Sequence, residues 1–151
     1  PTVYFSNSNI YPQQEYDVRK HELKRFLEAQ NVPYVEDEYD HHEWLSVIKG
    51  LEDEPERGSR CSVCFQFRLS HAAKYAQEHG FHLLTTTLAS SRWKNIRQID
   101  TAGHLAVEAY PDVEWWDMNW RKGGLQNRRG ELLRINEFYN QLYCGCEFSM
   151  R

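Results

Sequence analysis

Apolar positions along this chain switch repeatedly between the spacing of a helix and that of a strand. From Gln13 to Gln30, Tyr16, Leu23, Phe26 and Leu27 lie three, four or seven places apart, the stripe of a helix with one buried face. Pro12 stands at its start, where the absent N–H is no loss, and Asn31-Val32-Pro33 breaks it. Val3 to Phe5 reads as the tail of a buried strand, closed by the polar turn Ser6-Asn7-Ser8-Asn9, and Tyr34-Val35 as a second short strand. Asp40 with Glu43 has the capping-box pattern and opens a short helix through Trp44, Leu45 and Ile48 that Gly50 ends.

A charged loop, Glu52 to Ser59, leads to a helix with Cys64 in its first turn, running to about His79 with Gly80 as its stop. Phe81 to Thr87 predicts a strand. Asn95 to Tyr110 predicts a helix with Ile96, Ile99, Ala102, Leu105, Ala106 and Ala109 inward. Val113 to Trp116 predicts a last strand, and a helix from about Arg128 to Tyr139 delivers the chain to its final segment. Such alternation implies an α/β, Rossmann-like fold, a mainly parallel sheet flanked by helices. Ligands then bind at the carboxyl ends of the strands, so the segments after Phe5, Tyr34–Glu36, Thr87 and Trp116 are expected to line one crevice.

Composition narrows the class. With 151 residues, 40% apolar and 14% aromatic, the chain can build a core and is not disordered. It is expected to form one α/β domain over residues 1–151, shortened at its N-terminus because it begins at Pro1 without a methionine. No apolar run approaches the length of a membrane span. A net charge of -4 argues against a general nucleic-acid coat. Locally, however, Arg121, Lys122, Arg128, Arg129 and Arg134 face only Glu131, which reads either as a phosphate-binding patch or as a solvated face.

The candidate chemistry is that of sulfur. Four cysteines stand in two pairs, Cys61-Ser62-Val63-Cys64 and Cys144-Gly145-Cys146. The first spacing, on a loop entering a helix, lets both sulfurs point at one atom, and the helix N-terminus together with Arg60 and Arg68 favours thiolate. Two buried small hydrophobes are the plainer reading. A disulfide across one residue, Cys144 to Cys146, closes a strained and easily reduced ring, and Gly145 supplies the backbone freedom it needs. The four together can instead make a thiolate site for zinc or an iron–sulfur cluster. Other candidates are weaker. His41-His42 reads as solvated, and Glu15, Asp40, Asp100 and Asp117 show no diagnostic acid–base spacing. Gly123-Gly124 lacks the lysine of a phosphate loop, and Trp115-Trp116 with Trp120 reads as core.

Linked motifs over nearly the whole chain resemble the QueH-type epoxyqueuosine reductases. They are Tyr4-Phe5-Ser6-Asn7-Ser8-Asn9-Ile10-Tyr11-Pro12 with Glu15, Tyr16 and Arg19, then the stretch from Tyr39-Asp40 through Glu54-Pro55-Glu56 to Arg60-Cys61, Cys64-Phe65 and Arg68-Leu69. Thr85-Thr86-Thr87-Leu88, Lys94-Asn95 and Tyr143-Cys144-Gly145-Cys146 complete the set. The resemblance implies a cytoplasmic enzyme that reduces epoxyqueuosine to queuosine at the wobble base of tRNA, with a nucleotide alpha-hydrolase-like fold. It implies a 4Fe-4S cluster held by Cys61, Cys64 and an adjacent Cys-Cys pair upstream of Pro1, with an additional Lewis-acidic iron beside it. Cys144 and Cys146 are then left free as a redox-active pair. Arg60, Lys94, Arg128 and Arg129 are expected to contact tRNA phosphates, and an electron donor is required. The rival expectations are a zinc-stapled RNA-binding module without catalysis and a plain thiol–disulfide oxidoreductase.

Overall fold

A computed structural model describes residues 1–150. Strand β1 (Val3–Phe5), helix α1 (Gln13–Ala29) and strand β2 (Tyr34–Glu36) form the first unit. β1 and β2 pair in parallel, Val3 opposite Tyr34 and Phe5 opposite Glu36. Parallel pairing needs a crossover, and α1 supplies it. Helices α2 (His41–Val47) and α3 (Ser59–Glu78) follow. A second parallel pair, β3 (Leu83–Leu84) and β4 (Glu114–Trp115), is joined through α4 (Ile96–Val107). Helix α5 (Leu125–Ile135) and a 3-10 turn at Glu147–Ser149 close the described residues. The architecture is α/β with short parallel strands. No helix among the described residues is long and apolar enough to cross a membrane.

Several elements differ from their sequence patterns, each for a local reason. Phe81 to Thr87 yields only Leu83–Leu84 as strand. Thr86 Oγ1 accepts the N–H of Leu88 at 3.2 Å, and that bond turns the chain into a 3-10 helix, Thr87–Ser90, instead of prolonging the ladder. Helix α4 stops at Val107, so Ala109 falls outside it and is exposed, as is Leu105. Its buried face is Ile99, Ala102, Gly103 and Ala106. Helix α5 starts earlier than expected, at Leu125, because Gly124 adopts φ +81 and turns the chain into it.

The expected single sheet is two two-stranded sheets among the described residues. Within each sheet the carboxyl-end segments meet directly. Ser6 Oγ donates to Asp37 Oδ2 at 2.6 Å beyond β1 and β2. Beyond β3 and β4, Thr85 Oγ1 donates to the Trp116 carbonyl at 3.1 Å and Trp120 Nε1 to the Thr86 carbonyl at 3.0 Å.

Two apolar clusters share α3. One joins Phe65 and Leu69 of α3 to Ile99, Ala102 and Ala106 of α4 and to Trp115 of β4. Gly103 makes this close approach possible, since a Cβ there would lie 2.2 Å from Trp115 Cε2. Trp115 is thus core, as its sequence context suggests, while Trp116 is exposed and meets Trp120 edge-on. The second cluster joins Trp44 of α2 and Ile48 at the end of that helix to Cys64 and Cys146. One cysteine of each pair, Cys64 and Cys146, thus meets the other in this second cluster, while Cys61 packs against the first.

Candidate functional site

Helix α3 begins at Ser59, so Cys61 lies in its first turn and Cys64 one turn later, on the same face. The backbone N–H of Arg57 points at Cys61 Sγ, 3.3 Å away. Arg60, between loop and helix, does not reach outward. It is 2% exposed, and its Nη1 donates to the carbonyls of Leu51 at 3.2 Å, Glu52 at 2.8 Å and Glu54. Its guanidinium also lies over the Phe148 ring. Arg60 thus differs from the expected phosphate contact: it is buried, its Nη1 ties the 51–54 loop to α3, and its guanidinium also lies beside Cys146.

The second pair has no helix to hold it. Gly145 has φ +125, and a Cβ there would meet Ile10 Cγ1 at 2.9 Å and Arg19 Nη1 at 3.2 Å. The Tyr11 N–H donates to the Gly145 carbonyl at 2.8 Å. Arg19, buried on the apolar stripe of α1, donates from Nη1 to the Cys144 carbonyl at 2.9 Å and from Nη2 to the Tyr143 carbonyl at 3.0 Å. Glu15 Oε1 accepts from Arg19 Nε at 2.7 Å and fixes that guanidinium in place. His41 adds a further tie. Its Nε2 lies 2.9 Å from Glu147 Oε1 and its Nδ1 2.8 Å from the Ser8 carbonyl, with the ring stacked on Tyr11 and Trp44. It is not the solvated histidine that its sequence neighbourhood suggests.

Each pair contributes one buried and one half-exposed sulfur, and all four cysteines are free thiols. Burial pushes the Cys64 thiol up to about 11, against the pull of the nearby Arg68 guanidinium. Burial also raises Cys146, opposed by a hydrogen bond from the Phe148 backbone and by Arg60. Lys94 Nζ donates to Cys144 Sγ at 2.7 Å. Lys94 also lines a cavity with Cys61, Phe65, Arg57, Trp93 and Gln98. Through Lys94, the accessible sulfur of the second pair is tied to the cavity that contains the accessible sulfur of the first.

The donor set tests the fit of a metal. Thiols suit a soft metal or an iron–sulfur cluster, and Trp44 Nε1, buried in the same cluster, faces the Cys64 sulfur and favours its thiolate form. Yet no three His, Cys, Asp or Glu side chains among the described residues are placed to share one ion. The residues present therefore do not compose a complete cluster site.

The remaining candidates are distributed elsewhere. Arg128 and Arg129 are exposed on α5, with Arg128 Nη1 3.0 Å from Glu131 Oε2. Arg121, from the same basic stretch, instead donates to the carbonyls of Ala89 and Lys94 and so braces the Lys94 loop. Asp40 caps α2 through the Glu43 N–H, and Asp100 accepts from Trp115 Nε1. A separate polar cluster joins Asp37 to Ser6 and to His71 Nδ1 at 2.8 Å. Burial works against the Asp37 carboxylate, but hydrogen bonds from Ser6, His71 and Tyr4 hold it below the usual range.

A family model described as epoxyqueuosine reductase QueH matches residues 1–151. A protein of that description from Histophilus somni is 49% identical over 150 residues, covering 99% of this chain and 62% of that protein. One from Acinetobacter baylyi is 46% identical, covering 99% of this chain and 69% of its own length. One from Thermotoga maritima is 32% identical, covering 97% of this chain and 78% of its own. The chain thus spans less than two thirds of the Histophilus protein and somewhat more of the other two. Matched along its whole length, with both cysteine pairs inside the match, the chain belongs to the epoxyqueuosine reductase QueH family.

Proposed function

We propose that this chain carries the thiol site of an epoxyqueuosine reductase, which reduces epoxyqueuosine to queuosine at the wobble base of tRNA. The observation that supports it is the convergence of the two cysteine pairs, with Cys64 and Cys146 packed in one cluster and Lys94 bonded to Cys144. Converting an epoxide to an alkene breaks two C–O bonds and releases the oxygen as water, consuming two electrons and two protons. Oxidation of the Cys144 and Cys146 dithiol to a disulfide releases two electrons and two protons, which balances the step. A separate electron donor then returns the disulfide to thiols. Burial keeps the Cys146 proton on sulfur until it is needed. Lys94 holds Cys144 Sγ beside the cavity, and the exposed Arg128, paired at the surface with Glu131, and Arg129 are positioned to approach phosphates.

In this reading Cys61 and Cys64 supply two of the four thiolates of a 4Fe-4S cluster. Such a cluster, when bound, supplies electrons singly. The described residues complete no ligand set, and the dithiol by itself supplies both electrons and both protons. The fold is read as nucleotide alpha-hydrolase-like on its parallel strands and crossover helices, and the setting as cytoplasmic, where tRNA is modified.

The test is anaerobic assay of the full-length protein on tRNA bearing epoxyqueuosine. Cys144→Ser and Cys146→Ser are expected to abolish turnover while keeping iron and tRNA affinity. Cys61→Ala and Cys64→Ala are expected to remove the visible iron–sulfur absorbance. Normal turnover in either serine variant would overturn the dithiol assignment. A colourless zinc protein that binds tRNA without turnover would establish an RNA-binding module instead.

A further inference from the structure

The loop between the 3-10 turn and α4 presents Trp93 to solvent. Its side chain is 65% exposed, more than any other aromatic residue among those described. A tryptophan ordinarily contributes to stability by burying its large ring, and here that gain is forgone. The backbone around it is nonetheless firmly fixed. The Trp93 N–H donates to Ser91 Oγ at 3.3 Å, and the Trp93 carbonyl accepts from Arg57 Nε at 2.8 Å. On the next residue, the Lys94 N–H donates to the Ser91 carbonyl and the Lys94 carbonyl accepts from Arg121 Nη2 at 3.1 Å. Two arginines are therefore spent on holding still a loop whose ring is left in water.

The surroundings say what such a ring is for. Arg92 places its guanidinium carbon 4.8 Å from the indole centroid. Arg57, Lys94 and Arg121 touch or flank the same loop, and Glu56 is the acidic residue lining the adjoining cavity. In a chain of net charge -4 this is a local excess of cations around a flat aromatic face. A flat π surface beside a cation fits a nucleobase attached to phosphates, since stacking holds the base while Arg92, bonded to none of these loop carbonyls, meets the backbone. Trp93 also shares its cavity with Cys61 and with Lys94, whose Nζ is bonded to Cys144 Sγ. A base resting on the indole would lie at the mouth of the thiol site.

We infer that Trp93 is a stacking platform for an unpaired base of the tRNA anticodon loop next to the modified base, and so a binding residue that turns the loop toward the thiols. This rests on the functional reading above and adds to it the residue that positions the RNA. A protein partner docking on the same ring is the competing occupant, and the cations disfavour an acidic-poor, apolar one.

The experiment uses the full-length protein and an anticodon stem–loop RNA with 2-aminopurine beside the wobble position. Trp93→Ala is expected to weaken RNA binding by about 10-fold, the usual scale for losing one base–aromatic stack. Trp93→Phe should stay within about 3-fold of the parent, because a phenyl ring still stacks. The dependence of affinity on salt should not change in either variant, whereas Arg92→Ala should lower its slope by about 1. The parent should quench 2-aminopurine fluorescence on binding, and Trp93→Ala should not. Equal affinity and equal quenching for Trp93→Ala and the parent would overturn the inference and leave the reductase reading standing. A lowered melting temperature with no rescue by phenylalanine would also overturn it, by making the role structural. Failure of the parent to bind any RNA would overturn both readings together.

Discussion

The two cysteine pairs look alike in exposure and differ in what holds them. Cys61 and Cys64 are set by three residues of α-helix, so their relative position follows from backbone hydrogen bonds within α3. Cys144 and Cys146 lie on a loop, and the carbonyls of Tyr143, Cys144 and Gly145 are held by Arg19 and Tyr11, with the His41–Glu147 contact beyond them. One pair is positioned locally, the other by side chains more than a hundred residues away. The helical pair is suited to a constant role such as ligation. The loop pair is held by side chains from distant segments rather than by a helix, so its geometry depends on contacts that single substitutions can remove.

This contrast is most sharply broken at Arg19. Arg19→Ala removes the donors for two loop carbonyls and leaves Glu15 as an uncompensated, nearly buried charge. The expected cost is about 3–5 kcal/mol, read as a fall in the urea midpoint. Alkylation of Cys146 should accelerate while Cys64 stays slow. Equal acceleration of both would show that the pairs are not held independently.

A titration probes the helical pair next. In the metal-free protein the Cys64 thiol is raised to about 11 from an ordinary value of 9.0. A raised folded value means that the folded state keeps the proton longer than the unfolded chain does. The associated stability is complete below pH 9 and is lost as pH climbs toward 11, by about 1 kcal/mol per unit. Iodoacetamide should reach Cys64 only in that same window. Rapid labelling at neutral pH would contradict the burial.

Gly145→Ala acts on the loop pair alone. Its positive φ and the contacts to Ile10 and Arg19 predict a loss of about 1–3 kcal/mol, with faster labelling of Cys146. The smallest effect is expected far from both pairs. Arg128→Ala with Arg129→Ala should leave stability nearly unchanged and lower the salt slope of tRNA binding by about 1 for each arginine that grips a phosphate. An unchanged slope would make α5 a solvated face.

The sequence shows the helical half of the site far better than the loop half, because only the former is written in local spacing. Helix periodicity, the Asp40 cap and the Cys61–Cys64 interval are all features of neighbouring residues. Strand ends are less legible, since Thr86 resolves a competition between ladder and side-chain bond that β propensity does not register. Arg60 and His41 differ from their sequence readings for one reason: their partners come from other segments. For Arg19 a signal is present, an arginine on the apolar stripe between Tyr16 and Leu23 with a glutamate one turn earlier. For His41 the only local hint is Trp44 three residues on, a spacing at which rings stack on a helix.

Arg19 and Cys144 stand 125 positions apart, and that separation governs the order of events in time. Helix α3 closes through neighbours on the microsecond scale of helix formation, whereas the Arg19 clasp must await a loop closure spanning most of the chain. An interaction that forms late contributes little to the folding transition state, so weakening it mainly accelerates unfolding. The clasp holds the Cys144 carbonyl, whereas Cys146 is held also by its packing with Cys64 against Trp44 and Ile48, so release of the clasp acts on Cys144 first.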